Sequence, residues 1–164
     1  MSYCEKCGRL LTEKRCGTDG LVPYCETCGE FRFPWFSSAV SAVVVDPTRR
    51  KILLIQQYGK KDNVLVAGYI NKGENAKQTL LREVWEETGL KVSEFYYNDD
   101  EYFNSTNTLI HNFVAVVEDD KFTLTDEVDY AAWYPIDEAL EKIKPKSLAQ
   151  KFLRKAVRDI VGKW

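Results

Sequence analysis

The sequence of 164 residues contains no long hydrophobic run and only one histidine. No segment approaches the 18 consecutive apolar residues that a transmembrane helix requires, and no signal peptide precedes Cys4. We therefore expect a cytoplasmic protein without a membrane partner. The one histidine, His111, lies on a predicted strand, where a structural role is more common than a catalytic one, so we do not select it as a catalyst.

Four of the five cysteines form two CxxC pairs near the N-terminus. Cys4 and Cys7 form the first pair, Cys25 and Cys28 form the second, and 17 residues separate Cys7 from Cys25. This spacing is typical of a tetrahedral four-cysteine zinc site. Two disulfides are the alternative, but the cytosol keeps thiols reduced. We predict a zinc ribbon over residues 1–34, whose Zn²⁺ is structural because four thiolates leave no open coordination position.

The same 34 residues lack the charge expected of a nucleic-acid module. Five basic residues are balanced by five acidic ones, whereas phosphate binding usually requires a basic excess. We therefore expect the ribbon to brace the fold or a homodimer. The fifth cysteine, Cys16, lies between the two pairs and is interpreted as a spare thiol, with replacement of one of the four ligands as the alternative.

A charged helix is predicted in the middle of the chain, over residues 75–88. Nothing between Gly73 and Gly89 breaks a helix, and Gly89 has the chemistry of a helix stop. At about 100° per residue, the helix has two faces. Its apolar face consists of Leu80, Leu81, Val84, Trp85 and Thr88. The opposite face carries Glu83, Glu86 and Glu87, with Arg82 beside them.

The clustering of these glutamates is mildly unfavourable for a helix. Glu83 and Glu87 repel each other at i and i+4, and the macrodipole disfavours Glu86 and Glu87 near the C-terminus by about 0.3 to 1 kcal/mol each. Pairing of Arg82 with Glu86 can offset part of this cost. A solvated surface is one interpretation. A divalent cation is the other, because carboxylate oxygens are the ligands that Mg²⁺, Mn²⁺ and Ca²⁺ prefer.

The spacing of this segment resembles a known motif. Gly68, five residues, Glu74, seven residues and then Arg82-Glu83-Val84-Trp85-Glu86-Glu87-Thr88-Gly89-Leu90 match every specified position of the Nudix box, G-x5-E-x7-R-E-U-x-E-E-x-G-U with U aliphatic. The resemblance implies a Nudix hydrolase domain over residues 35–164. It also implies an α+β fold, a three-layer α/β/α sandwich around a mixed sheet. The implied chemistry is Mg²⁺- or Mn²⁺-dependent hydrolysis of a nucleoside diphosphate linked to another moiety.

The resemblance further implies roles for individual residues. The candidate ligands of Mg²⁺ or Mn²⁺ in the box are Glu83, Glu86, Glu87 and the carbonyl of Gly68. Glu74 and Arg82 would hold these ligands in place, since a guanidinium fork fixes the orientation of a carboxylate. Many Nudix enzymes carry a further acidic ligand or base later in the chain, for which Glu127 is the candidate, with Asp129 and Glu101 behind it. The general base stays unassigned because the family places it variously.

The substrate is less well defined. A four-cysteine ribbon before a Nudix domain resembles the NADH pyrophosphatase branch, which splits NAD(H) into a nicotinamide mononucleotide and AMP. However, the aligned residues 100–108 lack the three prolines and the tryptophan of that branch's SQPWPFPxS motif. The proline of many ADP-ribose pyrophosphatases, about 16 residues past the box, is also absent. We expect NAD(H), ADP-ribose or a similar dinucleotide, with Tyr102 and Phe103 as base-stacking candidates and Gln57 as a pocket residue, beside Gln56 and Tyr58.

Two alternative functions stay open, and the first follows from the uneven distribution of charge along the chain. Residues 142–164 carry eight Lys or Arg and one Asp, whereas residues 94–129 carry ten acidic residues and one Lys. The terminal helix, predicted over residues 147–162, has an apolar face formed by Leu148, Phe152, Ala156 and Ile160. Its other face carries Lys151, Arg154, Lys155 and Arg158. This face is either solvated or contacts an anionic surface or RNA, the latter as in a Nudix enzyme that removes RNA caps. A non-enzymatic nucleotide sensor is the third possibility, which the intact box opposes.

The remaining predicted elements follow from apolar periodicity and turn residues. The predicted strands cover residues 40–45, 52–56, 64–67, 92–97, 109–117 and 131–135, and a short helix covers residues 137–143. The acidic clusters at residues 99–101 and 118–120 are interpreted as a loop and a turn.

Overall fold

The structure is a computed structural model that describes residues 2–162, and the predicted place of the Ile160 side chain lies outside the described part. The chain divides into two compact units, Met1–Phe36 and Ser37–Trp164, where the sequence predicted a boundary after residue 34. Of the described helices, none combines the length and the apolar composition that a membrane span needs.

The first unit is a small antiparallel sheet of three strands in the order β1-β2-β3. Its strands are β1 (Thr12–Arg15), β2 (Leu21–Cys25) and β3 (Glu30–Phe31). Among its described residues only Cys4, Val22 and Cys25 are buried. A hydrophobic core therefore contributes little to this unit.

The described part of the second unit contains a mixed sheet and three α-helices. Its elements are β4 (Ser37–Val45), β5 (Lys51–Gln57), β6 (Val66–Tyr69), α1 (Ala76–Thr88), β7 (Val92–Phe103), β8 (Thr108–Val117), β9 (Val128–Pro135), α2 (Ile136–Lys142) and α3 (Leu148–Gly162). The strand order is β7-β8-β4-β5-β9, and β6 also pairs with β4. Among the strand pairings of the described residues, only that of β4 with β8 is parallel. The predicted mixed sheet is confirmed.

The central strand β4 has different partners along one of its edges. Its first half pairs with β6, where Val40 lies opposite Gly68, and its end pairs with β5, where Val45 lies opposite Ile52. Because β5 and β6 share one edge of β4, they bring the end of the β6 strand and its Gly68 beside the centre of the sheet.

Hydrophobic cores cover both faces of this sheet. Alternate residues of a strand point to opposite faces. Val43 and Val45 of β4 pack in a cluster with residues of α2 and α3, whereas Val40 and Val44 pack with residues of α1. The domain is therefore layered, with α1 on one face of the sheet and α2 and α3 on the other.

Most predicted elements lie within three residues of their observed bounds, but β7 does not. It continues to Phe103, six residues beyond its predicted end, so the acidic residues 99–101 lie in a strand and not in a loop. Two interactions allow this: β7 pairs with β8 along its length, and α3 supplies cations for the strand carboxylates. Lys155 bonds Asp99 at 3.1 Å, and Lys151 pairs with Glu101.

Candidate active site

The helix α1 is capped at both ends by its own sequence. The Asn75 side chain accepts a hydrogen bond from the Gln78 amide, and the Gln78 side chain accepts one from the Asn75 amide, both at 3.0 Å. This is a capping box, which satisfies two free amides of the first turn. At the other end, Gly89 adopts a left-handed conformation (φ 67°) and its amide bonds the Trp85 carbonyl at 2.8 Å. The caps place all three box glutamates in the last two turns.

The buried face of α1 differs from the predicted apolar face. The buried residues are Thr79, Leu80, Glu83, Val84, Glu87 and Thr88. Leu81 and Trp85, which were predicted to be buried, are 40% and 52% exposed. The prediction that the glutamates lie opposite the core was therefore wrong. The helix is turned by roughly 80° from that orientation, which brings two glutamates against the sheet.

A glycine in β6 makes this orientation possible. A Cβ atom at Gly68 would lie 1.9 Å from Cδ of Glu83 and 2.0 Å from its Oε1. No side chain can share that space, so the Glu83 carboxylate lies directly on the backbone of β6. The glycine of the box thus has a steric role, and its carbonyl stays a predicted ligand.

The arginine of the box holds three carboxylates at once. Its Nε and Nη2 donate to the two oxygens of Glu74 at 2.7 and 2.8 Å, which lowers the pKa of Glu74 to about 2. Its Nη1 donates to Glu83 at 2.6 Å and to Glu86 at 2.8 Å, as expected for the Glu86 pair. Nη2 also donates to the Tyr69 carbonyl at 3.1 Å. Arg82 therefore ties the end of β6 to the glutamates of the helix.

The most deeply buried carboxylate of the site is Glu87, which is 2% exposed. Burial raises its pKa to about 8; the Gln57 amide opposes this shift, and the charges of Glu83 and Glu127 add to it. Gln57 donates to Oε1 at 2.6 Å, but Oε2 has no hydrogen-bond partner among the described residues. Burial also raises the pKa of Glu83. Two crowded, buried carboxylates with an unsatisfied oxygen fit a divalent cation, which would favour their ionised forms.

The loop before β9 adds a fifth carboxylate. Glu127 is close enough to raise the pKa of both Glu83 and Glu87 through its negative charge. It also lines an open cleft of about 690 Å³ together with Trp85 and Glu86. The structure therefore brings together the predicted residues Gln57, Gly68, Glu74, Arg82, Glu83, Glu86, Glu87 and Glu127.

The two reserve candidates for the role of Glu127 have other partners. Asp129 accepts a hydrogen bond from the Gly59 amide at 2.7 Å and so fastens the turn after β5. Glu101 pairs with Lys151 of α3.

The aromatic candidates Tyr102 and Phe103 do not join this group. They end β7, which β8 and β4 separate from β6, so three strand spacings of about 14 Å in total lie between them and the β6 strand. As neighbours in a strand they also point to opposite faces of the sheet. Their substrate-binding role stays a prediction. Trp85, which sequence reasoning assigned to the core, lines the cleft instead; its position at the edge of the predicted apolar arc was the available signal.

The four CxxC cysteines of the first unit also lie together. Their Sγ atoms are all within 4.8 Å of one another, with Cys7 and Cys25 at 3.5 Å and Cys4 and Cys28 at 4.0 Å. A zinc tetrahedron with Zn–S bonds of about 2.3 Å requires S–S separations of about 3.8 Å. All five cysteines are free thiols, and Cys16 is not in the cluster.

A layered mixed sheet with an acidic, arginine-clamped cluster on one helix is the arrangement expected of a Nudix domain. The sequence matches the NUDIX domain over residues 35–156, and the chain therefore belongs to this family. The expected Nudix fold is confirmed.

Relatives similar in sequence to this chain include proteins named as NAD-capped RNA hydrolases. The chain is 27% identical over 160 residues to the NAD-capped RNA hydrolase NudC of Chromobacterium violaceum, covering 94% of this chain and 60% of the relative. It is 27% identical over 163 residues to the NAD-capped RNA hydrolase ndx-9 of Caenorhabditis elegans, covering 96% and 42%. The chain thus spans 60% or less of the length of these two relatives.

Solved structures share the fold. A NUDIX hydrolase from Nitrosomonas europaea superposes with a TM-score of 0.70 at 17% identity, covering 97% of this chain and 92% of that one. The NUDIX domain of Shewanella oneidensis NrtR complexed with ADP ribose superposes with a TM-score of 0.66 at 17% identity, covering 84% and 94%.

Proposed function

We propose that this chain is a metal-dependent pyrophosphatase that hydrolyses the phosphoanhydride of an ADP-ribosyl compound such as NAD(H) or ADP-ribose. The observation that carries the proposal is the buried Glu87, whose free oxygen lies among the other carboxylates of the box. An ADP-ribosyl group is common to the NAD caps named for the relatives and to the ADP ribose bound by the NrtR domain.

The residues proposed to hold Mg²⁺ or Mn²⁺ are Glu83, Glu86, Glu87, Glu127 and the carbonyl of Gly68. When bound, such a cation neutralises pyrophosphate charge and lowers the pKa of a coordinated water. Arg82 orients Glu83 and Glu86, and Gln57 holds one oxygen of Glu87 so that the other is left for the cation. These contacts fix the carboxylates before substrate arrives, which lowers the cost of organising the site.

The proposed reaction needs no covalent intermediate. The oxygen of a water molecule bonds to one phosphorus, the bond from that phosphorus to the bridging oxygen breaks, and the bridging oxygen leaves with the other phosphate. The released protons pass to solvent. NAD would give nicotinamide mononucleotide and AMP, and ADP-ribose would give AMP and ribose 5-phosphate.

The test is product identification with purified protein and Mg²⁺ or Mn²⁺, using NAD, NADH, ADP-ribose and nucleoside triphosphates. We expect Glu86→Gln and Glu87→Gln each to lower kcat/KM by at least about 100-fold, because each would remove a charged ligand. The exposed Glu141 on α2 provides the matched control, Glu141→Gln, which should leave turnover unchanged. Unchanged turnover in both site variants would overturn the assignment. Tight binding of ADP-ribose without turnover by the wild type would favour the sensor.

We also propose that Cys4, Cys7, Cys25 and Cys28 hold a structural Zn²⁺. The support is the separation of their sulfurs and the crowding of the thiols. Burial raises the pKa of Cys4, but hydrogen bonds from the amides of Cys7 and Lys6 and from the Arg32 guanidinium outweigh burial and lower this pKa to about 6. The neighbouring Cys7 thiol, with burial, raises the pKa of Cys28 to about 12, so a cation would be needed to hold all four sulfurs as thiolates. A cation binds such thiolates.

A second candidate substrate is the NAD cap of an RNA. A groove of about 560 Å³ between α2 and α3 is lined by Lys146, Arg154 and Arg158, for which no salt bridge is found among the described residues. The other two basic residues on the polar face of α3 are Lys151 and Lys155, which pair with Glu101 and Asp99 of β7. Together with the names of the relatives, this groove favours contact with an RNA backbone.

Charge reversal in this groove distinguishes the two candidate substrates, NAD-capped RNA and the free dinucleotide. Arg154→Glu should raise KM for NAD-capped RNA by roughly tenfold and reduce its salt dependence, while KM for free NAD stays unchanged. Lys51→Glu, at an exposed position of β5, is the matched control. Absence of measurable RNA binding at low salt would exclude this candidate and leave free dinucleotides.

A further inference from the structure

Trp85 is a large aromatic residue with an unusual place on its helix. Its neighbour Val84 is fully buried, yet the Trp85 side chain is 52% exposed. A single exposed aromatic residue is common and needs no special cause. Trp85 differs because it lines several open clefts, among them a larger one of about 690 Å³ and a smaller one of about 320 Å³.

The larger cleft adjoins the acidic cluster. It shares Glu86 and Glu127 with that cluster, and its remaining lining includes Gly89, Thr123 and Thr125. These residues are small or polar, so the indole of Trp85 is the one flat apolar surface among the residues described as lining this cleft. The threonine hydroxyls can donate to or accept from ring heteroatoms.

The smaller cleft already has a group against the indole. Lys91 lines it, and its Nζ lies 5.9 Å from the centroid of the Trp85 ring. A cation at this distance from an aromatic ring is attracted to it. Lys91 does not line the larger cleft, so this contact does not occupy the larger cleft.

We propose that Trp85 forms a stacking platform for a planar heteroaromatic ring of the substrate, nicotinamide or adenine, beside the acidic cluster. The proposal rests on the proposed function, since the pyrophosphate at the carboxylates would present its attached nucleoside to the adjacent cleft. Every nucleobase has a flat face that can stack on an aromatic side chain. Trp85 also supplies the aromatic surface that Tyr102 and Phe103, three strands away, do not bring to the site.

Kinetics of Trp85 variants test the platform. Trp85→Ala should raise KM about 5- to 150-fold with kcat nearly unchanged, as expected for a lost base stack, while Trp85→Phe keeps most of the affinity. Leu81→Ala is the matched control, because Leu81 is a similarly exposed apolar residue one turn earlier and lines only the smaller of the two clefts described above. An equal rise of KM in Leu81→Ala would indicate a general effect on the helix and would overturn the proposal.

Two substrates identify the stacked ring. If nicotinamide stacks, Trp85→Ala raises KM for NAD but not for ADP-ribose, which lacks that ring. If adenine stacks, KM rises for both. Unchanged KM for both substrates in Trp85→Ala would overturn the platform while leaving the proposed hydrolysis intact.

A direct binding measurement tests the stacking proposal independently of the proposed hydrolysis. If the wild type hydrolyses neither substrate, the proposed function fails, and calorimetric titration of AMP and nicotinamide mononucleotide in the presence of Mg²⁺ still tests the cleft. Binding of either mononucleotide that weakens at least fivefold in Trp85→Ala supports the platform. Equal affinity in both proteins, or no binding to the wild type, overturns it.

Discussion

The two units of this chain place their candidate metal ligands in opposite structural settings. In residues 2–36 only three described residues are buried, and two of them, Cys4 and Cys25, are themselves candidate zinc ligands. In the second unit, hydrophobic clusters cover both faces of the sheet, and Glu83 and Glu87 lie at the edge of one of them.

This difference in burial predicts different roles for a bound metal ion in the two units. In the first unit the proposed zinc ligands would take the place of a core, so metal binding and folding would be one process. In the second unit the apolar clusters hold the fold, and the buried carboxylates are an electrostatic cost that a cation would offset. The same operation, removal of the metal, should therefore have different results in the two units.

Removal of the proposed zinc is the largest expected effect. Cys25→Ser should unfold the first unit, because structural zinc contributes on the order of 10 kcal/mol to small metal-dependent domains. Loss of amide dispersion for residues 2–36 in NMR spectra, together with zinc content by mass spectrometry, would measure it, while the thermal transition of the second unit persists. Cys16→Ser is the control and should retain zinc. A folded first unit in zinc-free Cys25→Ser protein would contradict the comparison.

The next largest effect concerns the contact between Gly68 and Glu83. Gly68→Ala should displace the Glu83 carboxylate, because the new Cβ would lie 1.9 Å from Glu83 Cδ. We expect a loss of about 100-fold in kcat/KM with the fold intact. A double-mutant cycle checks the cause: in a Glu83→Ala background, Gly68→Ala should add little. Additive losses would show that the glycine acts by another route.

A smaller effect is expected from Arg82→Lys. The lysine keeps the charge but cannot donate from three nitrogens to Glu74, Glu83 and Glu86 at once. Metal affinity, measured as the Mg²⁺ concentration for half-maximal rate, should weaken by about tenfold. An unchanged Mg²⁺ requirement would mean that positive charge alone suffices.

Per pH unit, the expected pH dependence of stability is no larger than the tenfold effect of Arg82→Lys. The pKa of Glu87 is raised from 4.5 to about 8 in the folded, metal-free site, so the folded state holds a proton that the unfolded state releases between these values. Stability of the second unit should therefore fall as pH rises towards 8, by at most about 1.4 kcal/mol per pH unit. Urea unfolding in magnesium-free buffer without chelator, which keeps zinc in place, measures the slope. Glu87→Gln should flatten it, and saturating Mg²⁺ should weaken it.

Local signals explain why much of this structure was predictable. Asn75, Gln78 and Gly89 are capping residues whose effect is confined to the ends of one helix, and they fix its bounds to within one residue. Alternating or continuous apolar runs located the strands for the same reason. The spacing from Gly68 to Leu90 indicated the family, which the match over residues 35–156 confirms.

Interactions between distant residues explain what was missed. The length of β7 depends on Lys151 and Lys155, about fifty residues later, which neutralise acidic residues that suggest a loop when viewed alone. The exposure of Trp85 depends on the rotation of α1, and that rotation depends on the absence of a side chain at Gly68.

The sequence alone determined the order of the elements, the ends of the box helix, the pairing of the cysteines into two motifs and the identity of the acidic residues, because each depends on neighbours within a few positions. Only the tertiary structure decided which face of α1 is buried, how deeply Glu87 lies and which aromatic residue borders the carboxylates. These properties depend on side-chain volume and desolvation where separate strands and helices meet, and such meetings are not encoded in local spacing.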